Sequence, residues 1–183
     1  MWNSQVIIML LEGIRDTLYM TLASTLFGYI IGLPMGIVLT VTDKDGIRPN
    51  AAVYKVLDVI SNLLRSIPFI ILLIVLIPFT RFVVGRSYGS TATIVPLTIA
   101  AAPYIARMVE SSLKEVDAGV IEAARSMGAS DFQIVTKVML VEARTSLIVG
   151  ATISLGTILG YSAMAGTVGG GGLGDIAIRY GYT

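Results

Sequence analysis

Any chemistry on this chain would have to come from serines, carboxylates and lysines, because its 183 residues include no histidine and no cysteine. The commonest general base, the commonest neutral metal ligand and every thiolate site are therefore missing. An intramembrane hydrolase would need a Ser/Lys or Asp pair, and no such pair faces another inside an apolar run. Gly169-Gly170-Gly171-Gly172-Leu173-Gly174 spells the G-x-G-x-x-G dinucleotide pattern. That pattern cradles phosphate only between a strand and a helix, and neither is expected here, so the stretch reads as a re-entrant or extracytoplasmic loop. No loop ending in Gly-Lys-Ser/Thr occurs, so no ATPase is expected on this chain. Asp58, Glu110 and Asp175 could relay protons, yet each falls near an expected helix end and reads as an interfacial charge.

The segment from Asp117 to Gln133 carries the clearest local instructions. Asp117 can N-cap a short helix, Gly128 can end it in the left-handed conformation, and Ser130 with Gln133 forms a capping box for a second helix. Two short helices joined by a tight turn follow. Val120, Ile121, Met127 and Phe132 would leave apolar surface in water unless a partner or the bilayer interface covers them. An ordinary surface helical hairpin is the competing reading.

Composition decides what surrounds this segment. Hydrophobic residues make up 55% of the chain and charged residues 14%, with a mean hydropathy of +0.82, which places it in the membrane class as a single all-α domain over 1–183. A net charge of +1 argues against nucleic acid as a partner. An N-terminal interfacial segment is expected over 1–16, followed by four spans over 17–41, 67–84, 91–108 and 145–165, each judged against a hydrocarbon core of about 30 Å. Arg81 closes the second span and Arg107 stands at the end of the third; no other charged residue is expected inside these spans. An amphipathic helix after Asn50 should lie near the interface, with Val53, Val56, Leu57, Ile60 and Leu64 on one side. Gly28, Gly32 and Gly36, and again Gly156 and Gly160, recur every four residues as small faces for packing within one chain or across a dimer. The segments 43–65 and 107–144 hold 9 of the 13 basic residues. By the positive-inside rule the loop 109–144 is then cytoplasmic and the N-terminus outside.

Glu122-Ala123-Ala124, Gly128, Val138 and Leu140 follow the spacing of the signature loop of ABC-importer permeases, with Val141 where that family has proline. The text Arg65-Ser-Ile-Pro-Phe-Ile-Ile71, Ile94-Val-Pro-Leu-Thr98, Ala102-Pro-Tyr-Ile-Ala-Arg-Met108 and Gly160-Tyr-Ser-Ala-Met164 resembles the methionine-importer transmembrane subunit family over nearly the whole chain. The resemblance implies a homodimer in the bacterial cytoplasmic membrane, in contact with membrane lipid. It implies a separate cytoplasmic ATPase dimer carrying ATP-Mg, an extracytoplasmic substrate-binding protein or lipoprotein, and no cofactor on this chain. Glu122, Ala123, Ala124, Met127 and Gly128 would then dock the ATPase. Tyr161, Ser162 and Met164 would line the substrate pathway, with simple helix packing as the rival role. Such permeases carry a further C-terminal helix, so a fifth helix is expected to be absent from a chain that stops at Tyr182-Thr183. An ion-coupled carrier or channel is the alternative, and would need ionisable groups or filter-like backbone rings within the membrane.

Overall fold

The computed structural model describes residues 4–181. Residues 1–3, where the expected 1–16 segment begins, and residues 182–183, where the chain stops, lie outside the described residues. Among the described residues all regular structure is helical.

Helix α1 runs without interruption from Ser4 to Thr42. Its 39 residues span about 58 Å at 1.5 Å per residue, nearly twice a hydrocarbon core. The expected boundary at residue 16 is therefore not a helix end, because Arg15 and Asp16 are compatible with helix and pair with one another at 3.0 Å. Thr25 and Thr40 donate their hydroxyls to the carbonyls of Thr21 and Gly36 at 2.7 and 3.0 Å, so neither polar group is left open in apolar surroundings. Asn50 accepts from Val53 N at 3.2 Å and starts the amphipathic α2, Ala51–Ser66.

The expected second span is instead two short helices, α3 (Phe69–Val75) and α4 (Ile77–Val84), broken at Leu76. Pro78 lacks the N–H that a continuous helix would use and sits in the first turn of α4, where that donor is not needed. Residues 69–84 cover about 24 Å, short of the core thickness. Helix α5 extends over Ser90–Lys114, six residues beyond the expected end at Met108. Then follow α6 (Ala118–Ser126), α7 (Asp131–Gln133), π-helical turns over Ile134–Met139, α8 (Leu140–Glu142), α9 (Arg144–Ala165), a 3-10 turn over Gly166–Val168 and α10 (Gly172–Gly181). Among the described residues three helices are long and apolar enough to cross a membrane, Ser4–Thr42, Ser90–Lys114 and Arg144–Val168, or four if Ala51–Ser66 and Phe69–Val75 form one broken span.

The chain divides into two compact units. In the unit of Tyr29–Ser66 and Ala102–Ser154, α1 and α5 meet through glycine. A Cβ on Gly32 would stand 2.7 Å from the Ala102 carbonyl oxygen, and one on Gly36 would stand 2.6 Å from that of Ala106. The small face of α1 is thus used within the chain, whereas a Cβ on Gly156 or Gly160 of α9 would meet nothing within 4 Å. In the other unit α10 packs through Gly174 on the backbone of Ala163, and Phe69 stacks on Tyr161 with ring centroids 4.7 Å apart.

The two kinds of glycine should respond oppositely to a methyl group. Gly36→Ala must push backbone aside and should cost about 1–3 kcal/mol. Gly156→Ala should be neutral or stabilising by up to about 1 kcal/mol through helix propensity. Melting temperatures of the purified variants check this, and equal losses at both positions would contradict it.

Candidate functional site

The hairpin after α5 is built by its own caps. Asp117 is extended (φ −61°, ψ 131°) and its carboxylate accepts from Gly119 N at 2.7 Å, which starts α6. Gly128 (φ 82°) ends that helix in the left-handed region, with Gly128 N donating to Arg125 O at 3.0 Å and Ala129 N to Ala124 O at 3.1 Å. Ser130 and Gln133 close the expected capping box, Ser130 N donating to Gln133 Oε1 at 2.9 Å and Gln133 N to Ser130 Oγ at 3.4 Å. Ala124 is buried while Glu122 and Ala123 are exposed. Met127 is 82% and Phe132 76% exposed, Val120 is exposed and Ile121 half-buried. Beneath them Ile134, Val135 and Met139 are buried. This is an apolar protruding edge on a seated base. With Val141 in place of proline, the second helix reaches Glu142 and turns at Ala143 (ψ 0°) into α9. The π-helical turns were not signalled by any residue pattern in that stretch.

A charged ladder above the hairpin escaped the sequence reading. Arg107 Nη1 donates to Glu110 Oε2 at 2.7 Å, while Nη2 donates to the Asp58 carboxylate and to Asn62 Oδ1 at 3.1 Å. Lys114 donates to Glu110 Oε1 at 2.8 Å and to Asp43 Oδ2 at 2.5 Å, and the Tyr54 hydroxyl donates to Glu110 Oε1 at 3.2 Å. The Lys114 hydrogen bond holds the Asp43 carboxyl below the usual carboxylate range, against the opposing pull of its burial. Arg107, Glu110 and Lys114 stand three and four residues apart on α5, and Tyr54, Asp58 and Asn62 four apart on α2. That spacing puts each trio on one helix face and was the signal available. Because α5 continues to Lys114, Arg107 and Glu110, expected at and beyond the end of an uncharged span, lie within the helix and are largely buried. Asp58 and Glu110 are both ion-paired within the ladder, and Asp175 is paired with Arg179 at 3.0 Å.

The structure does not gather Tyr161, Ser162 and Met164 around one point. Tyr161 is taken up by its stack on Phe69, and the buried Ser162 donates to Leu159 O at 2.7 Å. Met164 is 48% exposed. The glycine-rich stretch does lead into a helix, α10, contrary to expectation, but a 3-10 turn precedes it where a phosphate loop needs a strand. It is tied down by Gly89 N donating to Gly169 O at 2.9 Å and by Thr17 Oγ1 accepting from Leu173 N at 2.9 Å. The cavity of about 220 Å3 beside it is lined by Glu12, Asp16 and Asp175, with Arg179 already paired. Phosphate would be repelled there.

A family model described as a binding-protein-dependent transport system inner membrane component matches residues 13–182. The chain is 48% identical over 174 residues to a Vibrio cholerae protein named probable D-methionine transport system permease protein MetI, covering 95% of this chain and 77% of that one. It is 55% identical over 158 residues to the D-methionine transport system permease protein MetI of Escherichia coli K12, covering 86% of this chain and 73% of that one. Among solved structures it is similar to a chain from inward-facing conformations of the MetNI methionine ABC transporter, with TM-score 0.97, 53% identity, and coverage of 99% of this chain and 84% of the other. An amino acid ABC transporter solved with histidines shares the fold alone, at TM-score 0.76 and 22% identity.

Proposed function

The chain belongs to the family of binding-protein-dependent transport system inner membrane components, and on that premise we propose that it forms the membrane path of an ATP-driven importer of methionine. The observation that carries this reading is the match, over 99% of the chain at 53% identity, to a methionine ABC transporter. The protein is an inner-membrane permease subunit and hydrolyses no ATP itself. Two copies would enclose the path. A separate ATPase pair would bind ATP-Mg, and an extracytoplasmic binding protein or lipoprotein would deliver the solute.

In this reading ATP closes the ATPase dimer and the capped hairpin moves as a lever, switching the path between inward-open and outward-open states. Glu122, Ala123, Ala124, Met127 and Gly128 form the docking contact. Its support is the exposed edge around Met127 over the buried base of Ile134, Val135 and Met139. The hairpin faces the cytoplasm and the N-terminus faces out, in keeping with the 9-to-4 basic bias. Tyr161, Ser162 and Met164 contribute to the path from α9, with Met164 as the adjustable group because its thioether is flexible and its flank half-exposed.

Uptake by proteoliposomes of the complete complex, with methionine against other amino acids, tests the reading. Methionine should accumulate only with internal ATP and Mg, and uptake independent of ATP would overturn it. Gly128→Val forces a β-branched residue to φ 82° and should strain the turn by about 1 kcal/mol or more. Together with Ala123→Arg on the exposed side of α6, it should release the ATPase while leaving the membrane dimer intact. If both variants keep the ATPase and normal uptake, the hairpin is not the docking element. Because there is no native cysteine, Ser87→Cys should react with an impermeant thiol reagent from outside intact cells and Ser130→Cys should not. External labelling of Ser130→Cys would overturn this orientation.

A further inference from the structure

The docking helix α6 reaches the connection between α1 and α2 across a gap. A cavity of about 340 Å3 is lined by Asp43, Asp45 and Gly46 of the connection, by Leu113 and Lys114 of α5, and by Ile121 of α6. Packed side chains do not fill the space, so a displacement of α6 would be partly absorbed there. Two polar links tie the connection to α6 and to the end of α5. Arg125, on α6, donates from Nη2 to the Ile47 carbonyl at 2.7 Å. Lys114, three residues before the Asp117 cap of α6, holds Asp43 at 2.5 Å. The connection is itself folded on the end of α1, with Arg48 N donating to Val41 O at 3.0 Å and Asn50 N to Thr42 O at 2.9 Å.

We propose that Arg125 is a positioning residue for coupling: its bond to the Ile47 carbonyl makes the α1–α2 connection travel with the docking helix. Movement of the hairpin is then delivered to α1 and α2 as well as directly along α5. The inference rests on the importer reading and on α6 as the ATPase contact. Arg125 itself is exposed. Its guanidinium is committed to a backbone acceptor within the chain, which a residue kept only for a partner's surface would not require.

Arg125→Met keeps the aliphatic stem and removes the donors, whereas Arg125→Lys retains a charged donor. Both are read in proteoliposomes of the complete complex, as methionine taken up per ATP hydrolysed. A coupling contact of ordinary size predicts that Arg125→Met lowers this ratio at least about fivefold, with ATPase content and hydrolysis rate within about twofold of the native complex. Arg125→Lys should restore it to within about twofold. A fold-stabilising role alone would lower yield or melting temperature and leave the ratio unmoved. An unchanged ratio in Arg125→Met overturns the inference, as does a loss that follows a matching loss of bound ATPase. If the methionine variant does not assemble, Arg125→Gln, whose shorter amide cannot span the same gap, is judged by the same ratio. A native complex without ATP-dependent uptake would overturn the importer reading and this inference with it.

Discussion

Arg107 and Glu110 are largely buried charges on one helix, and the arrangement around α5 follows from the need to keep each of them paired. Removing one partner of such a pair leaves an uncompensated charge and typically costs about 3–5 kcal/mol. Lipid tails give helices no hydrophobic reason to prefer one another, so polar pairing and close contact decide which faces meet. The ladder fixes the rotation of α2 accordingly. Tyr54 and Asp58 turn toward α5, while Val56, Val59, Ile60 and Leu63 are exposed. Read as a soluble amphipathic helix, α2 would be turned the other way, with its apolar face inward.

Close contact does the rest of the work around α5. Gly32 and Gly36 let α1 approach the Ala102 and Ala106 carbonyls to a distance that a side chain would forbid. The Ser146 hydroxyl donates to Ser112 Oγ at 2.9 Å, adding a polar contact between α9 and α5. With α5 held at Ala102, Ala106 and Ser112, the hairpin that follows Lys114 continues from a packed segment of that helix.

What the sequence made legible was local. Asp117, Gly128, Ser130 and Gln133 each act within a few residues, so their types and spacing predict the hairpin and the structure realises it bond for bond. The long helices α5 and α9 were legible from apolar length. The continuity of α1 through Arg15 and Asp16 is not legible in the same way, because a charged pair beside an apolar run resembles a boundary although neither residue stops a helix. The break at Leu76 was half visible, since Pro78 announced an interruption but not that both halves would be too short to span alone. The ladder joins positions 49 residues apart, and such pairing shows in a single sequence only as two helical stripes whose mutual fit must be supposed. The path residues were legible least of all, because a path is enclosed by surfaces rather than by any one helix.

That separation of 49 residues between Asp58 and Arg107 also sets an order of manufacture. At roughly 5–20 residues per second, the ribosome completes Tyr54, Asp58 and Asn62 about 2–10 s before their cationic partner emerges. Throughout that interval the growing chain holds the polar stripe of α2 without the charge that orients it. The pairing that sets the rotation of α2 against α5 is therefore available only once Arg107 has been made.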